Sequence, residues 1–461
     1  MKFSHRSSRG RRLRSSARVA VGLLAAALLA LTGVACRAQS SADHTTSTSN
    51  PSAPPSGASP QTAAPETYEP PSGTAAEAIA YSRAEHELYF FDVAYGLLAL
   101  IAILECRAAA RFRDWAERAT SRRLFQAAIF SPLILLTIDV LSLPSAIWQQ
   151  CIARNFHQSI ESWNAWLLDW MKGEALSMLL AIFLVWILYG VLRRSPKRWW
   201  FYFWLASLPI LIFLLFVSPF VVEPMFFEFK PMTQTQPALA AEIEQLVRHG
   251  GLDIPQSRIY EMTASTKLQS VNAYVSGIGA SKRVVVWDTT IARMTPPEIL
   301  FVVGHEMGHY VLHHIPKGIA VLSAVLLLFF FLGDRGLLAL LARRGVRWSI
   351  RAPDDWASLP VLLLLLSIFS FLYTPIDNAV SRYFEHQADQ FGLEVVHGIV
   401  PNAPEEAARA FEILGEVDLE EPHPSWLEKI WFDDHPPVDE RIRFARSYDP
   451  WSKGDAPRFV K

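Results

Sequence analysis

The hydrophobic positions of this chain fall into long unbroken runs, not into the alternation of a half-buried strand or the single stripe of a soluble helix. Runs such as ALSMLLAIFLVWILYGVL (175–192) and SAVLLLFFFL (323–332) are too long and too dry for ordinary core helices. The pattern predicts six membrane spans, at about 88–106, 124–148, 175–192, 199–222, 318–333 and 357–376. The fold class expected is mainly α, a polytopic α-helical membrane protein. Trp199, Trp200, Tyr202 and Trp204 gather at one end of the fourth span, as an interfacial aromatic belt does. Two polar stretches remain, 230–315 and 377–461, and they must meet across the two spans that separate them in sequence.

The organisation expected is therefore four N-terminal spans over 81–229, followed by a unit over 230–461 that includes the last two spans. Ahead of these, residues 1–18 carry seven cations and no acid before an apolar run from Val19 to Ala35, so residues 1–37 have the order of a signal peptide or N-terminal membrane anchor. Gly33-Val34-Ala35-Cys36 has a lipoprotein-like cysteine, although Gly33 stands where leucine is usual. Residues 38–80 are rich in Ser, Thr, Pro and Ala and are expected to be a disordered linker.

Composition agrees with the runs. Hydrophobic residues make up 51% of the 461 positions and charged residues only 19%, which is low for a soluble domain. A net charge of −1 gives no reason to expect nucleic acid as a partner. Three cysteines have neither the number nor the spacing of a thiolate metal site or a disulfide framework. The placement of charge is more informative. Arg107, Arg111, Arg113, Arg118, Arg122 and Arg123 follow the first span, Arg193, Arg194, Lys197 and Arg198 the third, and Arg343, Arg344, Arg347 and Arg351 the fifth. The intervening loop 149–173 has only Arg154 and Lys172. Every second loop is basic, so the positive-inside rule places 230–315 and 377–461 together on the non-cytoplasmic face.

Candidate chemistry centres on Gly304-His305-Glu306-Met307-Gly308-His309. Histidines four apart project from one helix face and can share one zinc ion, with Glu306 beside the metal as general base. Thr295 and Glu298 form a predicted capping box, and Pro296 suits the first helical position. Leu312 and Ile315 stand where the longer HExxHxxGxxH motif has Gly and His, so the third ligand must come from elsewhere. His313 and His314 follow too closely to close a tetrahedral site and fit an interfacial or supporting place better. The segment Ser381–Asp389 offers Glu385, with His386 as its rival. Asp389 shares a helix face with Glu385 and could hold a ligand histidine from behind. Asp139, inside an otherwise apolar span, needs a protein partner or water.

GHEMGH followed by SRYFEHQAD resembles the type I CAAX prenyl protease family of multi-span membrane zinc metalloendopeptidases. Further agreement comes from Leu143-Pro144, Arg154–His157, Trp170–Gly173, Ser270–Tyr274 with Val284–Thr289, and His435–Arg441. The resemblance runs from about 85 to 445. It implies a gluzincin-like zinc metalloprotease domain containing a small β-hairpin or sheet, and one Zn2+ per chain. The ligands would be His305, His309 and Glu385, and the catalytic groups Glu306, His435 and Asp389. Asn272, Tyr274 and Arg441 would be substrate-binding, Asn272 on an edge strand that pairs with the substrate backbone. The partners implied are a protein or peptide substrate and the lipid bilayer. Ser270 stands where the family has histidine, and the outward face differs from that of eukaryotic members. The leader and Cys36 point to a bacterial envelope, and hence to the inner membrane and to membrane-associated substrates. The competing expectation is a catalytically silent scaffold that keeps the fold, but every residue the chemistry needs is present.

Overall fold

The structure is a computed structural model describing residues 68, 70, 73–267 and 269–460. The expected leader, Cys36 and nearly all of the linker lie outside the described residues.

Six helices are long and apolar enough to cross a membrane. They are α1 (Thr74–Glu105), α3 (Arg123–Asn155), α4 (Trp163–Arg194), α5 (Trp199–Val221), α10 (His314–Trp348) and α11 (Leu359–Val396). All six predicted spans fall on these helices, but the helices are longer. α1 begins at Thr74, inside the stretch expected as linker, because TAAEAIA is a helix-forming sequence that the span behind it can propagate. α4 begins at Trp163, ahead of the predicted 175. Asp169, Lys172 and Glu174 interrupt its hydropathy, yet Asp169 is paired inside the protein with Lys172 and with Lys267. α10 runs on past 333 to Trp348, and its Asp334 accepts a hydrogen bond from Trp199 Nε1 at 2.7 Å. Arg343, Arg344 and Arg347 are therefore on a helix end and not in a loop.

The three basic segments meet at one end of the bundle. A short helix, α2 (Ala108–Ala119), carries Arg113, whose guanidinium is buried against Asp355 at 2.5 Å. Arg193 reaches the Asp354 carbonyl, Arg351 pairs with Asp114 and Glu117, and Arg347 pairs with Glu105. The alternation of charge along the sequence thus corresponds to a shared end in space. A large apolar cluster from α1, α2, α3, α4, α5, α10 and α11 fills that end, with Phe130, Tyr189, Trp199 and Trp356 at its centre.

The two polar stretches pack together around a second core. The first contributes β1 (Phe229–Pro231), α6 (Met232–Thr235), α7 (Pro237–His249), β2 (Ile259–Met262), β3 (Ala273–Ser276), β4 (Arg283–Trp287), α8 (Asp288–Arg293) and α9 (Pro296–Val311). The second contributes α12 (Ala403–Val417), α13 (Trp426–Trp431) and α14 (Val438–Ser447) after α11. The strands form one mixed sheet in the order β1-β2-β4-β3. β3 and β4 are the predicted hairpin, antiparallel with Ala273 opposite Val286, and β3 lies at the sheet edge. The polar C-terminal half of α11 joins this second unit while its apolar first half stays in the bundle.

Candidate metal centre

α9 starts as predicted. Prolines occupy its first turn, and the Thr295 backbone N–H donates to Glu298 Oε2 at 2.6 Å. From Glu298 to His309 every residue is buried, so the histidines cannot be surface groups. Glycine lets α9 and α11 come close enough to share a site. A Cβ on Gly392 of α11 would lie 3.1 Å from His305 N and 3.2 Å from His305 Cα. A Cβ on Gly308 would lie 3.1 Å from Ala388 Cα. The backbones themselves fill this space. The spacing of Gly304 and Gly308, and of Ala388 and Gly392, was the available signal for this seam, and reading the motif for ligands alone overlooks it.

The seam brings His305, His309 and Glu385 together, with one donor atom from each within 4.8 Å of the others. His305 Nε2 is 3.1 Å from His309 Nε2 and 3.2 Å from Glu385 Oε2, and His309 Nε2 is 3.5 Å from Glu385 Oε1. Zinc bonds of 2.0–2.1 Å in a tetrahedron require ligand atoms roughly 3.3–3.4 Å apart, so this donor set fits the ion. The rival ligand, His386, is turned away and packs its ring 4.5 Å from that of Phe444.

Both histidines are held from behind. His305 Nδ1 is 2.7 Å from Asp389 Oδ1, which leaves Nε2 facing the other ligands. Asp389 is in turn gripped by Arg441, at 2.9 Å from Nε and 2.5 Å from the terminal nitrogen. Arg441 also lies 4.1 Å over the Phe411 ring. On the other side, His309 Nδ1 is 3.2 Å from His314 Nδ1, and His314 Nε2 is 3.0 Å from Gln387 Oε1. An amide oxygen only accepts, so His314 carries its proton on Nε2 and offers a bare Nδ1. His309 then donates from Nδ1 and keeps Nε2 bare for a metal. Gln387 is oriented by its own bond to the Tyr383 hydroxyl at 3.0 Å. The place of His314 agrees with its expected supporting position, whereas Gln387 had no signal in sequence.

Electrostatics separate the two histidines. Burial opposes charge on His305, but Asp389 and Glu385 outweigh it and carry its pKa up to about 9. Burial dominates at His309 and lowers its pKa. His435, from the segment before α14, lies 3.2 Å from Glu385 Oε2 and 2.9 Å from Asp434. Burial works against its charge too, yet those two carboxylates raise its pKa well above the ordinary value. Glu306 is buried beside the ligand pair on the same helix.

Asn272 sits immediately before the edge strand β3. Its backbone is fixed, with N–H donating to Thr290 Oγ1 at 2.6 Å and C=O accepting from Trp287 N at 2.9 Å. The residue is 2% exposed, and neither polar atom of its side chain has a hydrogen-bond partner among the described residues. A buried amide of this kind normally has partners. Tyr274 is different. Its buried hydroxyl donates to Glu223, which also pairs with Arg283, tying the hairpin to the end of α5. Tyr274 and Arg441, both expected as substrate contacts, thus have structural partners within the protein.

If the His314 relay sets the His309 ring, His314→Phe should weaken zinc binding about 10–100-fold, the usual effect of losing such a partner. Competition with a chromogenic zinc chelator measures it. An unchanged affinity would leave His314 a packing residue only.

Comparison with known proteins gives a consistent picture. Residues 233–449 match the family described as Peptidase family M48, and residues 61–228 match CAAX prenyl protease N-terminal, five membrane helices. The chain is 33% identical over 375 residues to the "Uncharacterized metalloprotease YhfN" of Bacillus subtilis (strain 168), covering 80% of this chain and 85% of that one. It is 24% identical over 386 residues to the CAAX prenyl protease 1 homolog of Homo sapiens, covering 74% and 78% of the two chains. The crystal structure of S. mikatae Ste24p superposes with a TM-score of 0.70 over 83% of this chain and 93% of that one, at 20% identity.

Proposed function

Because the chain belongs to peptidase family M48, as a multi-pass membrane metalloprotease, we propose that it hydrolyses peptide bonds with His305, His309 and Glu385 holding one zinc ion. The observation that carries this is the convergence of three buried donor atoms from two helices at tetrahedral spacing. Zinc bound there supplies a Lewis acid that acidifies a water and polarises the scissile carbonyl. Glu306 takes the proton of the attacking water and passes it to the leaving amine. His435, 3.2 Å from Glu385 and 2.9 Å from Asp434, donates a hydrogen bond to the oxyanion that develops on the carbonyl. Asp389 fixes the His305 ring and Arg441 fixes Asp389, so both act through the ligand and not on the substrate. The edge of β3 pairs with the substrate backbone by strand addition, and the Asn272 amide supplies a further donor and acceptor beside the scissile bond.

We assign the metal centre to the non-cytoplasmic face of a bacterial inner membrane, and the substrates to membrane-associated or envelope proteins. The basis is the cluster of arginines at the far end of the bundle. Along α11, Glu385 lies about 39 Å from the helix start at that end, at 1.5 Å per residue, so the metal centre and the arginines face opposite sides.

Metal removal tests the chemistry. Dialysis of the purified protein against a strong chelator should abolish cleavage of a casein or peptide reporter, and one equivalent of zinc should restore it. Full activity after verified zinc loss would refute the reading. Accumulation of uncut proteins in membranes of Glu306→Gln cells would identify the substrates.

A further inference from the structure

At the basic end of the bundle, away from the metal centre, an open groove of about 620 Å³ runs along α4, with Tyr202 of α5 at its side. Trp186, Gly190 and Val191 of α4 and Tyr202 of α5 line it, and Arg194 and Ser195 stand at its end. Trp186, Gly190 and Arg194 lie on the side of the helix opposite Ala181, Leu184, Val185, Leu188 and Leu192, which pack into the core, while Ile187 and Val191 border that core. The groove therefore opens on the outer face of the bundle, where the spans meet acyl chains. Gly190 makes the notch, since nothing lies within 4 Å of where its Cβ would be. From Trp186 to Arg194 the apolar wall runs about 12 Å, at 1.5 Å per residue.

The charge at its end is available. Arg193 is spent on Asp354 and on the Trp356 ring, and Arg113, Arg347 and Arg351 have acidic partners of their own. Arg194 has no hydrogen bond or ion pair among the described residues, while Lys197 and Arg198 add positive charge next to it. An unpaired guanidinium at the head of an apolar slot that Ser195 and Tyr202 also line, next to the aromatic belt, matches one occupant. A phosphodiester carries the complementary charge and accepts bidentate hydrogen bonds from Arg, and an attached acyl chain fills the slot.

We propose that this groove binds one anionic phospholipid, its headgroup on Arg194 and one acyl chain along α4. Native mass spectrometry of the full chain, loaded from equimolar phosphatidylglycerol and phosphatidylcholine, tests it independently of proteolysis. The wild type should retain phosphatidylglycerol in preference. Arg194→Gln should cut that preference about fivefold, the contribution of one cation near the headgroup. Gly190→Phe should lower retention of either lipid at this site. Both variants must elute as monodisperse protein with an unchanged unfolding temperature, and if Gly190→Phe does not, Gly190→Leu takes its place. Equal retention of the two lipids by the wild type would overturn the proposal, as would wild-type retention by both variants. Complete displacement by millimolar glycerol phosphate would also overturn it, because the acyl chain would then contribute nothing.

Discussion

Glu306→Gln should abolish peptide cleavage while the protein still binds one zinc ion per chain. The substitution keeps the size and burial of the side chain, so α9 and its packing against α11 should be unaffected. What is lost is the ability to take a proton. An amide cannot act as a base, and a positioned general base contributes roughly 10²–10⁴-fold to the rate. In the mechanism proposed above the same group also delivers that proton to the leaving amine, so the loss should lie at the upper end of that range. Rates should be measured on a fluorogenic peptide with zinc content determined on the same sample. Residual activity within about tenfold of wild type, with zinc present, would remove Glu306 from the mechanism. A protein without zinc would instead show that Glu306 holds the site together. The silent-scaffold alternative predicts no measurable cleavage by either protein.

Gly392→Val should produce the second large effect, although residue 392 contributes no side chain to the site. A Cβ there meets His305 N at 3.1 Å and His305 Cα at 3.2 Å, and neither backbone atom can rotate away. The helices must separate, at the 1–3 kcal/mol typical of overpacking. His305 and His309 move with α9, whereas Glu385 and Asp389 stay on α11. Metal sites tolerate displacements of only about 0.2 Å in their ligand distances. Zinc affinity should therefore fall by about 10–100-fold or more, and activity at limiting zinc should fall with it. Gly392→Ala should show the same effect in smaller measure. Gly333→Ala, whose nearest neighbour would be a Leu362 side-chain carbon at 4.0 Å, should be silent. If Gly392→Val bound zinc as tightly as wild type, the close approach of the helices would not be what sets the ligand geometry.

Much of the fold could be read directly from the sequence. The six spans are legible because crossing a bilayer demands a continuous apolar run, a property of adjacent residues. Their ends are less legible, as α4 and α10 demonstrate. Asp169 and Asp334 look like terminators in a hydropathy window, yet Lys267 and Trp199 meet them in the folded chain. The helix bearing His305 and His309 is equally legible, since capping and the four-residue repeat are local. The family resemblance supplied Glu385, Asn272 and His435 as candidates, and the structure brings Glu385 and His435 within hydrogen-bonding distance of each other. The resemblance also named Tyr274 and Arg441 as substrate-binding, and sequence could not say which atoms they touch in the fold. Glu223 and Asp389 are their partners in the fold.

Sequence by itself therefore determined a polytopic helical membrane protein, a pair of histidines four apart on one helix and the alternation of its basic loops. Each of these depends on spacing within one element. Tertiary structure alone decided that Glu385 meets the two histidines while His386 turns away, the relay from His309 through His314 to Gln387, and the grip of Arg441 on Asp389. Those features join segments far apart in the chain, and their distances are set by how closely α9 and α11 pack. That approach depends on Gly308 and Gly392 having no side chain, and its consequence emerges only when the two helices are in contact.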